Sequence, residues 1–287
     1  MFKALLSKAL LVLPFISQPV LADPIIWKIH DQQREFYVLG SIHAGKEAMF
    51  PLPNIFLEQW QQADALIVEA NILQQSTAVP TLAPPFTHQV LPTPALSQLK
   101  KIAIKLNIPF EPLLQQPPWL TAVTLQLALA DTLNLKSDYG IDYVLLQRAQ
   151  QQNLPIHELE SVSQQFDMLE NLPENGAPML AETINEWEKT QSSLRCLIKV
   201  WQHGDSDKLE QLFQESQFDP TTDDALIFKR NQRWAETLTK DTSYQSGKFM
   251  LVVGAFHLIG EQGLPNLMKQ QGFKVERMTS GTKAECQ

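Results

Sequence analysis

Three signatures that would name a reaction outright are missing from this chain: it has no HExxH pair, no GxSxG elbow and no GxGxxG turn. Cysteine is scarce as well. Cys196 and Cys286 are the only two, and they lack the CxxC or Cys/His spacing of a zinc knuckle or a redox dithiol. Basic residues are outnumbered, 23 Lys and Arg against 31 Asp and Glu, for a net charge of −8. That balance argues against nucleic acid or an anionic membrane surface as partner. Beyond residue 22 no apolar run reaches the roughly 20 residues of a membrane span, so no stable membrane insertion is expected.

What is present begins with a secretory signal over residues 1–22. Lys3 and Lys8 form its positive start, Ala9–Ile16 its apolar run, and Val20-Leu21-Ala22 a cleavage site before Asp23. An uncleaved anchor is the alternative, and no Cys follows for a lipid anchor. A periplasmic or secreted location permits a Cys196–Cys286 bridge, although nothing in the sequence fixes their distance and two free thiols are equally open.

The remainder reads as a single domain over 23–287. Residues 24–30 and 35–39 predict a hairpin around Asp31-Gln32-Gln33. A helix over 53–63 and a strand over 65–68, ending at Glu69, complete a βαβ unit. Five prolines between residues 78 and 94 predict an irregular surface loop, a candidate lid. Residues 95–152 are helical in pattern, with a buried helix over 119–133, and 155–159 is a short strand. Residues 178–241 are almost wholly helical, broken near His203-Gly204-Asp205 and Asp219-Pro220. A strand over 249–253, a helix over 264–271 and a strand over 273–278 close the chain. The expected fold class is α/β (mixed α+β): a central mixed sheet with βαβ units at both ends of the chain, flanked by helices, and a helical middle.

One pattern occurs twice. Tyr37-Val-Leu-Gly40-Ser-Ile-His43 and Leu251-Val-Val-Gly254-Ala-Phe-His257 each end an apolar strand in Gly-x-x-His. Glycine reaches φ > 0 freely, so a sharp turn is expected at each. Side by side, the two units bring both imidazoles to one sheet edge, where α/β folds keep their ligands. Glu69 ends the strand after His43 and can join them. Two imidazoles and one carboxylate with open positions suit a divalent ion such as Mn, Co, Fe or Zn. The stretch Gly40–Lys46 imitates a P-loop, but Glu47 replaces the Ser or Thr that holds magnesium, and Pro51 and Pro53 prevent the helix that cradles phosphates. Glu160 is a second acid at a strand end. His30, His88, His157 and His203 read as structural or surface residues.

The paired motifs Gly40-Ser-Ile-His43 and Gly254-Ala-Phe-His257, with Glu69 between them, resemble the signature of the TraB/GumN family, Tiki-like GxxH proteins. Tyr139-Gly140-Ile141-Asp142, Leu159-Glu160-Ser161, Trp201-Gln-His-Gly204-Asp205 and Arg230-Asn231-Gln-Arg-Trp234 match its bacterial exported branch. Phe256 and Ser161 depart from it, where Gly and Thr are common. The resemblance implies metal-dependent hydrolysis of a peptide or other small substrate. His43, His257 and Glu69 would hold the ion, and Glu69 would serve as ligand or as base. Arg230 or Asn231 could steady an oxyanion; a helix-surface Arg and a capping Asn are the plainer alternative. More distant haem-binding and esterase relatives imply two further readings: a non-catalytic periplasmic module for haem, a peptide or a small ligand, and a metal-free hydrolase with a histidine base.

Overall fold

A computed structural model describes residues 23–74 and 82–286. The proposed signal, 1–22, and residues 78–81 of the proline-rich stretch lie outside the described residues. Six strands form one mixed sheet: β1 Ile26–His30, β2 Arg34–Ser41, β3 Ala65–Val68, β4 Ile156–Glu158, β5 Gly247–Gly254 and β6 Lys274–Arg277. Their spatial order is β4-β3-β5-β2-β1-β6. β1 and β2 make the antiparallel hairpin, whereas β2, β5, β3 and β4 run parallel. β6 pairs antiparallel with β1 and so points the same way as β5. Both strand–helix–strand units exist, but neither joins neighbouring strands. β5 inserts between β2 and β3, and the β5–β6 connection passes β2 and β1.

Alternation along the strands gives the sheet two apolar faces, as a sheet covered on both sides requires. Tyr37, Leu39, Leu66, Val68, Met250 and Val252 belong to one core. Phe36, Val38, Ile67, Phe249, Leu251 and Val253 belong to the other. The first face packs against Phe56 and Trp60 of the helix Asn54–Trp60, Ile141 and Leu145 of Ile141–Gln152, and Trp201 of Trp187–His203. Trp234 and Leu238 of Lys229–Lys240, with Leu264 and Met268 of Leu264–Gln270, cover the second. Each such apolar side chain, fully buried, contributes about 1.5–3 kcal/mol before chain entropy is subtracted. A further helical cluster buries Leu99, Trp119, Leu125 and Leu180, and Leu194 packs against both it and the first sheet core.

Two expectations change. The stretch 78–94 is not irregular throughout. Thr87–Val90 forms one helical turn, with Thr87 Oγ1 buried against Gln116 O and Thr121 Oγ1. The next helix, Thr93–Leu106, starts with Pro94 in its first turn, where a missing N–H is harmless. Asn175 Nδ2 donates to the carbonyls of Ala83 and Pro85, which ties the segment to the helical cluster. The cysteine question is also decided. Cys196 and Cys286 are bridged, Cα atoms 5.2 Å apart across 90 residues of chain. Loop-closure entropy assigns such a bridge about 4–5 kcal/mol.

Candidate active site

Strand register explains why distant residues meet. Ser41 of β2 lies opposite Gly254 of β5, and Val68 of β3 lies opposite Val252. His43, His257 and Glu69 therefore leave the same carboxyl edge of the sheet, with β5 central. The glycines are needed for a different reason than the turn chemistry suggested. Neither has a positive φ; that of Gly254 is −51°. Crowding excludes a side chain instead. A Cβ on Gly40 would stand 2.9 Å from Ala255 Cα, and one on Gly254 would stand 3.2 Å from Glu69 Oε1. Trp201 Nε1–H donates to Gly40 O at 2.7 Å and pins the first turn from below.

His257 is buried, 4 % exposed. Its Nδ1–H donates to Asn231 Oδ1 at 2.7 Å, which leaves Nε2 to accept from Arg230 Nη1 at 3.1 Å. Trp234 lies beside the ring, centroids 4.5 Å apart. Burial lowers the imidazole pKa to about 3, and Arg230 pushes the same way against the opposing charge of Glu69. The ring is neutral at any ordinary pH.

Glu69 accepts from Gly254 N–H at 2.6 Å and from Arg230 Nη2 at 2.6 Å. Burial pushes its carboxyl up, but His257, Arg230, His43 and the Gly254 N–H together hold it at about 2. Arg230 and His43 carry positive charge as Glu69 titrates, and His257 adds its own below about pH 3. Glu160, 8 % exposed, sits alongside: its N–H donates to Glu69 O, and its carboxylate is paired with Arg230. Gln165 Nε2 reaches both carboxylates.

His43 is the open member of the site, close enough for its charge to act on Glu69 and His257. Its side chain is 69 % exposed, and Nδ1 is 2.8 Å from Asp142 Oδ2. The hydrogen bond to Asp142 raises the imidazole to about 9, although water around the open ring screens the pair. The motif Tyr139-Gly140-Ile141-Asp142 is built for this contact. Ile141 N–H donates to Ile42 O, and a Cβ on Gly140 would fall 2.5 Å from His43 O. The second oxygen, Asp142 Oδ1, is buried and makes no hydrogen bond to protein.

Arg230 and Asn231 are therefore neither surface nor capping residues. Both are buried, and both are fully engaged. Asn231 Nδ2 donates to His257 O and Gln262 O, and no N–H of the guanidinium is free for an oxyanion. Sequence reasoning met Asp142, Gln165 and Trp234 only as members of stretches that match the family and gave them no part in the site. The signals were the short matched stretches that contain or adjoin them and the Arg230–Trp234 spacing of one helical turn, which puts the guanidinium 4.6 Å over the indole.

A family model described as TraB/PrgY/gumN matches residues 25–277. The chain belongs to this family. It is 33% identical over 237 residues to the uncharacterized protein YbaP of Escherichia coli (strain K12), covering 82% of this chain and 88% of that one. YbaP of Shigella flexneri shows the same identity and coverage. An uncharacterized protein of Treponema pallidum (strain Nichols) is 23% identical over 297 residues, 91% of this chain and 89% of its own. No solved structure matches.

Whether this TraB/PrgY/gumN site suits a divalent ion is decided by its lone pairs. Both imidazoles use Nδ1 on an oxygen acceptor, which is how ligating histidines are oriented. The atoms that would face the ion are nonetheless taken: His257 Nε2 and Glu69 Oε2 by Arg230, and Glu69 Oε1 by Gly254 N–H. Among the described residues no group of three or more His, Cys, Asp or Glu is arranged to hold an ion. As arranged, these side chains do not fit one.

Proposed function

We propose that this protein is an exported hydrolase, peptidase-like in substrate class, in which His43 moves the proton. The observation that carries the reading is the Asp142–His43 pair. Within the site, His43 is the ionisable group whose ring opens to solvent, and Asp142 fixes its orientation through Nδ1. With its pKa raised to about 9, His43 is a base chiefly in alkaline solution, where neutral Nε2 accepts a proton from water as the oxygen adds to the substrate carbonyl carbon. The imidazolium then returns that proton to the leaving amine or alkoxide as the bond to carbon breaks. Asp142 favours the imidazolium formed between the two steps. His257, Glu69, Arg230 and Glu160 form a buried, mutually bonded floor that keeps both turns in register. The Cys196–Cys286 bridge supports an oxidising compartment, in keeping with the signal over 1–22. Among the described residues no helix is long and apolar enough to cross a membrane.

The divalent-ion form of the same reading, with Mn, Co, Fe or Zn on His43, His257 and Glu69, requires Arg230 to leave the cluster. The test is cleavage of a peptide and ester panel by tag-free protein from the cell envelope, with and without chelator. Expected is turnover that survives chelation and is lost in His43→Ala. Chelator-sensitive turnover favours the ion. Ligand retention with no turnover makes the protein a binding module.

A further inference from the structure

The acceptors around Arg230 are those a divalent cation would choose, and the geometry points to the guanidinium as the resident cation of that cage, where it excludes a metal ion. Arginine has five N–H donors, and all five are used. Nε–H goes to Glu160 Oε1 at 3.0 Å; Nη1 donates to Leu226 O at 2.9 Å and His257 Nε2 at 3.1 Å; Nη2 donates to Glu69 Oε2 at 2.6 Å and to Glu160. Two carboxylates, an imidazole nitrogen and a backbone carbonyl thus surround one buried guanidinium. Small hard cations are held by this donor set elsewhere in proteins.

The Leu226 carbonyl is available because of a local irregularity. Residues Asp224–Phe228 form a π-helical turn directly before the helix Lys229–Lys240. Such turns disturb the regular carbonyl ladder and recur at functional sites. Here the turn hands a carbonyl to an arginine four residues on. Trp234 covers one face of the guanidinium.

Charge points the same way. One guanidinium faces the carboxylates of Glu69 and Glu160, with exposed Arg233 3.8 Å from Glu160 Oε2. A divalent ion added to an arginine already in place would need donors that are occupied. With the arginine removed, the same acceptors would face a vacant space carrying two uncompensated negative charges, which an ion of charge +2 neutralises. Arg230 is accordingly a positioning residue whose presence makes the site independent of metal. This inference does not rest on the hydrolase reading, because ion binding is read without turnover.

The experiment uses the mature chain, stripped with chelator and titrated with Mn²⁺ or Zn²⁺ alone. Bound metal is read by native mass spectrometry, and thermal midpoints are recorded in parallel. Wild type should bind no ion at this site and keep its midpoint on stripping and reloading. Arg230→Ala should gain a single ion per chain, its lowered midpoint should rise with metal, and both gains should vanish in Arg230→Ala/Glu69→Gln and Arg230→Ala/His257→Ala. Arg230→Lys, which keeps a cation in the cage, should gain no ion. Three outcomes overturn the inference: a stoichiometric ion in wild type that Glu69→Gln releases, an Arg230→Ala chain that folds yet binds nothing, or one that neither folds nor is rescued by metal.

Discussion

The two Gly-x-x-His turns each follow an apolar strand, β2 or β5, with the same glycine-to-histidine spacing, yet their histidines have opposite properties. His43 is open to water, rests on a carboxylate and is drawn toward the protonated form. His257 is sealed beneath Trp234, rests on a neutral amide and is held neutral beside Arg230. Local sequence fixes where an imidazole leaves the strand. The element packed over it fixes what the imidazole does, and that element comes from elsewhere in the chain: the helix Ile141–Gln152 for His43 and the helix Lys229–Lys240 for His257.

The contrast should be plainest in acid. His257 has a folded pKa of about 3 against an ordinary value of 6.5. The unfolded chain thus takes up the proton first, and stability present above about pH 6.5 drains away as the pH falls toward 3. Glu69 acts in the same direction from about 4.5 down to about 2. His43 works the opposite way: its pairing is complete below about 6.5 and is lost as the pH rises toward 9. Each tenfold difference in proton affinity between the folded and unfolded chain is worth roughly 1.4 kcal/mol. Urea titrations across pH should therefore show a loss of several kcal/mol on the acid side and, because water screens His43, a shallow decline on the alkaline side. A flat acid limb would mean that His257 is not buried neutral.

Truncation comes next in size. His257→Ala leaves Asn231 Oδ1 and one Nη1 hydrogen of Arg230 without a partner and opens a cavity, so it should lower unfolding free energy by about 2–4 kcal/mol. His43→Ala breaks a solvent-screened pair with Asp142 and should cost no more than about 1 kcal/mol while abolishing any turnover. Equal destabilisation by the two variants, measured by chemical denaturation, would erase the distinction. The finest test exchanges the acceptors. Asn231→Asp should raise the His257 pKa, and Asp142→Asn should bring that of His43 down toward its ordinary value, each followed by NMR titration of the ring. If turnover depends on neutral His43, the acid limb of its pH profile should move to lower pH in Asp142→Asn.

Much of this is legible in the sequence where the signal is local. Short continuous apolar runs mark β2, β3 and β5, and Gly204 and Pro220 mark breaks in the helical middle. The duplicated turn points to His43, His257 and Glu69 leaving one edge. What escapes depends on contacts between distant segments. Asp142 looks like any acid in the first turn of a helix until Gly140 is seen against the His43 backbone. Arg230, three residues from Arg233 on the same helix, shows no sign in sequence of being the buried one, because burial is set by Glu69 and Glu160 arriving from β3 and β4. The glycines stand out in the sequence as turn formers, but close approach is what requires them, and close approach leaves no trace in a single sequence.

The position of β5 also governs when this protein can fold. β2 and β3 are made early and are close in sequence, but the strand that must lie between them is Gly247–Gly254, near the end of the chain. Until that segment emerges, the sheet has a gap at its centre and the His43 turn has no Ala255 to lean on. Such late closure leaves the early strands without their central partner until the chain is nearly complete, and it makes the sheet the slow part of folding.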